Sequence, residues 1–327
     1  MTDTYNYRQI ISKAIADEMK IDPDVVLFGE DVGAAGGAFK TTPNLFNEFG
    51  PNRVRDTPIS EQAIVGAALG AAMTGLRPVA EIMFADFAGV CYDQIANQVA
   101  KYRYMTNGQV RVPLVIRMAN GAGTGFGAQH SQAAENWFLN VPGLKIVTPG
   151  TVSDVYGLLR AAIRDDNPVL FYEHKGLFAI KGEVERVESE VLPLGKADVV
   201  RKGTDITLVA NQMMRHRAME AAEILTAEGI SLEVIDPRTI VPFDDATVIE
   251  SLSTTSRLMI VQEGARDGSW GSSLVSRMFT EHFELFDAPP VLLSSEDTPT
   301  PYAGNLEELW LTSVDEIVAA AREQVRY

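Results

Sequence analysis

The sequence predicts an α/β protein of two doubly wound domains, and three observations carry that prediction. Strand-like and helix-like stretches alternate along nearly the whole chain, the pattern of a mostly parallel sheet covered by helices on both faces. The alternation is interrupted once, over residues 183–203, where no helical stripe survives and four glutamates fall within residues 183–190. The 327 residues, 46% hydrophobic and 22% charged, have ordinary globular composition and enough length for two cores. The expected boundaries are residues 1–182 for the first domain, 183–203 for a linker and 204–327 for the second.

Residues 25–28 read as a short buried strand, and residues 61–74 as a helix with Ser60 at its N-cap. A strand over 79–84 leads into a longer helix over 87–105. There Cys91, Ile95, Val99 and Tyr102 recur at helical spacing, while Asp93, Gln94, Asn97 and Lys101 take the other positions, so one face is buried. Strands at 112–117 and 145–147, a helix at 152–164 and a strand at 168–172 complete the first alternation. In the second, strands at 206–210, 231–235, 257–262 and 291–294 alternate with helices at 217–227, 245–252, 272–283 and 313–324. No repeat of solenoid period and no low-complexity tract is present.

The net charge of −16 sets the chain against phosphate backbones and anionic lipid, which disfavours nucleic-acid and membrane-surface roles and suits a basic protein partner. Cys91, the single cysteine, excludes an internal disulfide framework and fits a reducing compartment. The first five residues lack the basic start and apolar core of a signal peptide, and no apolar run approaches the roughly 20 residues of a membrane span, so a cytosolic location is expected.

Glu61 opens its helix just inside the Ser60 cap, where exposed amides and the helix dipole favour a carboxylate; local reasoning alone makes it a capping group. The helix it opens is unusual. Ala63, Gly66, Ala67, Ala68, Gly70, Ala71 and Ala72 cover nearly all its surface with small groups, which weakens the helix at each Gly but lets a backbone or ligand approach closely. The stretch 121–127 has glycine at alternate positions, yet neither the dinucleotide fingerprint nor the P-loop pattern can be laid onto it. His130 follows directly, as a structural cap or a proton-transfer group. His174, His216 and His282 are too scattered for metal-ligand spacing and read as structural, as does Cys91 within its apolar stripe. Met83 and Phe87 flank the end of a strand, where side chains face either the core or a ligand crevice.

Taken in order, several blocks resemble the beta subunit of the thiamine diphosphate-dependent component of 2-oxoacid and acetoin dehydrogenase complexes. They are Phe28-Gly29-Glu30-Asp31-Val32-Gly33, residues 56–61, Gly75-Leu76-Arg77-Pro78, residues 128–132, Pro142-Gly143-Leu144-Lys145, residues 162–168 and Asp236-Pro237-Arg238-Thr239. The resemblance covers essentially the whole chain. It implies a transketolase-like pyrimidine-binding domain followed by a transketolase C-terminal domain, in a heterotetramer of two alpha and two beta subunits. It implies that the alpha subunit grips the Mg²⁺-diphosphate of the cofactor, through a Gly-Asp-Gly and distant Asn that this sequence lacks.

Glu61 then matches the glutamate that hydrogen-bonds the cofactor's aminopyrimidine, a task that works best in a desolvated pocket. Phe87 and Met83 match apolar contacts to the pyrimidine ring, and His130 matches an active-site histidine that assists proton transfer to a lipoyl group. Leu114, Ala162, Ile163, Asp165 and Asn167 match positions that bind potassium in some members, largely through backbone oxygens. The implied activity is cleavage of acetoin or oxidative decarboxylation of a 2-oxoacid, pyruvate or branched-chain, with reductive acylation of a lipoyl domain. The blocks 89–95, 129–132 and 173–175 lean towards acetoin enzymes. A non-catalytic scaffold subunit, docked on the acyltransferase core through that core's basic peripheral-subunit-binding domain, and a one-chain transketolase-type enzyme are the alternatives. The sequence departs from the family at Asn211-Gln212 and Met213-Met214-Arg215, where many relatives have Tyr-Gly after the first strand of the second domain.

Overall fold

A computed structural model describes residues 2–185 and 191–327. The chain opens with strand β1 (Thr2–Asn6) and helix α1 (Tyr7–Ile21), which Asn6 and Gln9 start with a reciprocal capping box. Then come β2 (Val25–Gly29), α2 (Leu45–Phe49), β3 (Val54–Asp56), α3 (Glu61–Met73), β4 (Arg77–Ile82), α4 (Tyr102–Met105), β5 (Val115–Asn120), β6 (Lys145–Val147), α5 (Val152–Arg164), β7 (Val169–His174) and β8 (Lys181–Glu185). The second half supplies β9 (Asp198–Arg201), β10 (Ile206–Ala210), α6 (Gln212–Thr226), β11 (Leu232–Asp236), β12 (Thr239–Val241), α7 (Asp245–Thr255), β13 (Leu258–Val261), α8 (Trp270–Glu281), β14 (Val291–Leu293), α9 (Gly304–Trp310) and α10 (Val314–Gln324).

Seven strands form the first sheet in the order β12-β6-β7-β5-β4-β2-β3, all parallel except β12. Five form the second, β14-β13-β10-β11-β9, with β9 antiparallel. Every residue of β2, β5, β7, β10, β11 and β13 is buried, which is why these strands read as continuous apolar runs with no alternation. One apolar cluster joins α1 and α5 to one face of the first sheet. A second starts on the opposite face, under α3, and continues without a break to α7 and α8 on the second sheet. A third packs α6 and α10 on the remaining face.

Two expectations are corrected. Residues 87–105 wind as helix throughout most of their length but not as one α-helix: a 3₁₀ turn (Ala85–Gly89) gives way to a π-helix (Gln94–Val99) before α4. The cause lies in the carbonyls. The Lys101 ammonium takes Ala96 O at 2.8 Å, so the Ala100 amide reaches one residue further back, to Ile95 O at 3.0 Å. The expected linker is also shorter at both ends: residues 183–185 belong to β8, which pairs with β1, and residues 198–201 form β9. Residues 186–190 lie outside the described residues. No helix among the described residues is long and apolar enough to cross a membrane.

Candidate active site

Parallel strands place their carboxyl ends along one edge of the sheet, and in the first domain that edge gathers most of the side chains singled out in the sequence. In spatial order, β7 ends in His174 and is followed by Lys175, β5 runs into the glycine-rich loop that carries His130, β4 is followed by Met83, Phe84 and Phe87, β2 by Glu30, and β3 by the start of α3 at Glu61.

Glu61 is 7% exposed. The Ser60 side chain makes no cap bond to α3, and the Glu61 carboxylate accepts no hydrogen bond among the described residues, so the local role as a helix cap is not what holds it there. Glu30 lies nearby with one oxygen buried and unpartnered; burial, with Glu61, Asp31 and Glu81 adding, pushes its carboxyl above the ordinary range. Glu81 is the partnered member of this group. Arg117, 1% exposed, spans from Glu81 at 2.8 Å to both oxygens of Glu173 at 2.7 and 2.9 Å, a fully buried bidentate fork that keeps strands β4, β5 and β7 in register at the crevice.

Phe84, Phe87 and His130 form an aromatic cluster: His130 meets Phe84 edge-on at 4.6 Å and Phe87 at 5.3 Å, with Phe84 and Phe87 5.5 Å apart. Met83, Phe87 and His130 are half-buried. The Cys91 thiol contacts Phe87 O, and burial with the Glu61 charge pushes it up to about 12, so it is an inert core group as expected.

The loop is a carboxylate cradle, not a phosphate cradle. Gly121, Gly123, Gly125 and Gly127 all have positive φ, and the amides this frees point at acids: Ala122 N to Glu263 at 2.6 Å, Gly123 N and Gly125 N to Glu307 at 2.8 and 2.9 Å. Gly121 is required by space as well, since a Cβ there would sit 2.2 Å from His174 Nε2. His174 is structural, as expected. Its Nδ1 accepts from the Gly176 amide at 3.1 Å, which leaves Nε2 carrying the proton towards Glu263 at 2.8 Å. His216, its pKa lowered by burial, bonds Gly150 O. His282 lies towards the surface beside Glu284. Asn120 donates to Glu135, whose carboxyl burial pushes up to about 7.

The residues matched to potassium binding do come together, but at the opposite edge, where strands begin. Their carbonyls are engaged: Arg77 Nη1 donates to Ile163 O at 3.1 Å and to Asp165 O at 3.2 Å, the Val169 amide to Leu114 O at 2.9 Å and the Asp165 amide to Ala162 O at 3.2 Å. Asp165 pairs with Lys145 and Asn167. Arg77 supplies positive charge at two of these oxygens, Ile163 O and Asp165 O, and no step is assigned to a cation there.

Lys175, Glu263, Glu307, Asp86 and Glu30 were not singled out by the sequence. They come from separate elements: buried atoms without partners mark Lys175, Glu30 and Asp86, and the loop amides they hold mark Glu263 and Glu307. The unusual Asn211-Gln212 pair also acquires a role: Gln212, at positive φ, donates from the second domain to Tyr172 O at 2.8 Å on β7.

The three-layered α/β/α halves and the half-built crevice define a protein of the transketolase type. The chain matches the family models for the transketolase pyrimidine binding domain over residues 3–181 and the transketolase C-terminal domain over residues 195–317, and it belongs to the transketolase family. Its relatives include the pyruvate dehydrogenase E1 component subunit beta of Rhizobium meliloti (strain 1021), 45% identical over 98% of this chain and 69% of the relative. The 2-oxoisovalerate dehydrogenase subunit beta of Bacillus subtilis (strain 168) is 44% identical over 98% of this chain and 99% of its own length. The acetoin:2,6-dichlorophenolindophenol oxidoreductase subunit beta of Cupriavidus necator is 44% identical over 97% and 96%. Among solved structures, a split gene transketolase in an inactive beta4 tetramer shares the fold, with a TM-score of 0.80, 23% identity and 97% coverage of each chain.

Proposed function

We propose that the chain is the beta subunit of a thiamine diphosphate-dependent dehydrogenase component, which with an alpha subunit in an α2β2 assembly cleaves acetoin or oxidatively decarboxylates a 2-oxoacid and hands the acyl group to a lipoyl domain. The observation that carries this reading is Glu61: a carboxylate sheltered at the crevice, at the head of a helix, without a hydrogen-bond partner of its own. A sheltered carboxylate with no internal partner is left able to bond a ligand, and a weakly basic ring nitrogen that shares its proton is such a ligand.

The residues fit the cofactor. Glu61 would share a proton with its aminopyrimidine, Phe87 and Met83 would pack against the ring, and His130, held edge-on by Phe84 and Phe87, would move a proton at the substrate side. When bound, thiamine diphosphate supplies a carbon nucleophile and an electron sink for breaking the bond next to a carbonyl. Its Mg²⁺-diphosphate would be held by the alpha subunit, across the exposed small-residue face formed by Ala63, Ala67 and Gly70 on α3. Docking of a lipoyl acyltransferase core onto the acidic second domain, in the cytoplasm, belongs to the same reading.

The test is co-expression with an alpha subunit and assay of the purified complex for thiamine diphosphate and Mg²⁺ dependence against acetoin, pyruvate and branched-chain 2-oxoacids. A cofactor-dependent turnover of one of these is expected. A complex that turns over none of them, or that works without the cofactor, sinks the proposal.

A further inference from the structure

Three acidic side chains converge on the segment that carries His130, each from a different part of the chain. Glu263, just past β13, holds the Ala122 amide; Glu307, in α9, holds the Gly123 and Gly125 amides; Asp86, in the turn after β4, takes the Gln132 side chain at 2.8 Å. Glu263 and Glu307 are buried, and Asp86 has one oxygen buried without a partner.

Lys175 directly follows β7, next to His174, whose ring meets Glu263 at 2.8 Å. Its side chain is 4% exposed, its Nζ has no hydrogen-bond partner among the described residues, and it stands 5.7 Å from the Phe84 ring, the ring that His130 meets edge-on. A buried ammonium without hydrogen bonds is an expensive group to keep. Burial pushes its pKa down to about 8, although Glu263, Asp86 and Glu307 each raise it. That is below the ordinary lysine value, so at neutral pH the charge weakens the fold, and stability of the fold does not explain why the residue is there.

We propose that Lys175 is a positioning residue whose charge, acting through space on Glu263, Asp86 and Glu307 without a direct ion pair, holds the loop over residues 121–132 in the arrangement that presents His130 to the crevice. The functional meaning of that arrangement rests on the reading of His130 given above, but the positioning itself does not. A direct role in recognising a substrate carboxylate is disfavoured, because the charges of Glu263, Asp86 and Glu307 already act on the ammonium.

Hydrogen exchange on the purified chain tests this, read at Ala122, Gly123 and Gly125 with the β5 amides as an internal reference. Lys175→Met, which keeps length and removes charge, should raise exchange at the three loop amides by at least about tenfold while β5 is unchanged and the melting temperature is no lower than wild type. Lys175→Arg should restore loop protection. Unchanged loop protection in Lys175→Met overturns the proposal, as does a rise spread evenly over loop and β5 with a lower melting temperature, which marks a merely structural residue.

If Lys175→Met does not fold, the pH series decides. Loop protection of wild type, corrected for intrinsic exchange, should fall between about pH 7 and 9 as the ammonium loses its proton, and flat protection overturns the proposal. His174 and Glu135 also face Glu263, so Lys175→Gln serves as the control in which that fall should be absent. In the reconstituted complex Lys175→Met should lower kcat more than it raises KM, and a rise in KM alone with the loop intact overturns positioning. A complex inactive on every substrate would leave the exchange result standing.

Discussion

Glu61 and Lys175 are opposite cases of a buried charge without a hydrogen bond. Glu61 is set beside Glu30, whose carboxyl burial and the neighbouring acids hold above its ordinary range, so this part of the crevice disfavours further negative charge. Such a pocket suits a group that must share a proton with a neutral ring. Replacing Glu61 by Gln keeps size and burial but removes the shared proton. In the reconstituted complex kcat is expected to fall by about 10²–10⁴-fold, the usual span for loss of a general acid or base, with the melting temperature within a few degrees of wild type. Full activity in Glu61→Gln would end the catalytic assignment. The sequence made Glu61, Met83, Phe87 and His130 legible because each stands beside a recognisable local feature: a cap, a strand end, a glycine loop. Glu263 and Glu307 carry no such mark. They reach the loop from 141 and 184 residues away, and their role is visible only once burial and hydrogen bonding are known.

At the scale of elements, α3 and the loop after β5 use glycine for different reasons. Gly70 lies on the exposed face of α3, where an added methyl group would meet nothing within 4 Å, whereas Gly121 has φ +83 and would drive a methyl group to 2.2 Å from His174 Nε2. Gly70→Ala should therefore stabilise the chain by about 0.4–1 kcal/mol through a less flexible unfolded state. Gly121→Ala should destabilise it by roughly 1–3 kcal/mol and displace His174 from Glu263. Urea denaturation of the two variants reads both signs, and equal effects would contradict the geometry. Periodicity found the parallel strands and most long helices because burial on both faces and amphipathic stripes leave strong patterns. It overlooked α1, β1 and the short strands β3, β8, β9 and β12, which are partnered at edges or by distant segments. The 87–105 stretch was legible as a buried helical stripe, but the Lys101 contact that opens its hydrogen-bond ladder is a side-chain event no periodicity encodes.

At the scale of the whole molecule the two halves are not independent. Strand β12 of the second half completes the first sheet, Gln212 reaches β7, and a polar cluster closes the seam between α5 and β11. In that cluster Asp236 is 1% exposed; burial and the neighbouring Asp154 push its carboxyl up to about 8, against the pull of Arg215, Arg238 and the Arg238 amide. Arg238 Nε lies 2.7 Å from Asp154 Oδ1 while Arg215 Nε stays 3.5 Å from Asp236 Oδ2, and burial beside Asp154 favours a proton on Asp236. The sign follows from proton counting. Across the interval from the ordinary aspartate value to about 8, the folded chain holds a proton that the unfolded chain has released, so this group stabilises the fold fully at acid pH and its contribution is lost as pH rises through that interval. Asp236→Asn places a permanently neutral side chain at the seam. Its melting temperature relative to wild type should rise steadily from about pH 5 to about pH 8 and level off above, whereas Glu135 and other acids cancel in the difference. A difference that stays flat across this range would mean that Asp236 is ionised at the seam and that Arg215 and Arg238, not a shared proton, join the two domains.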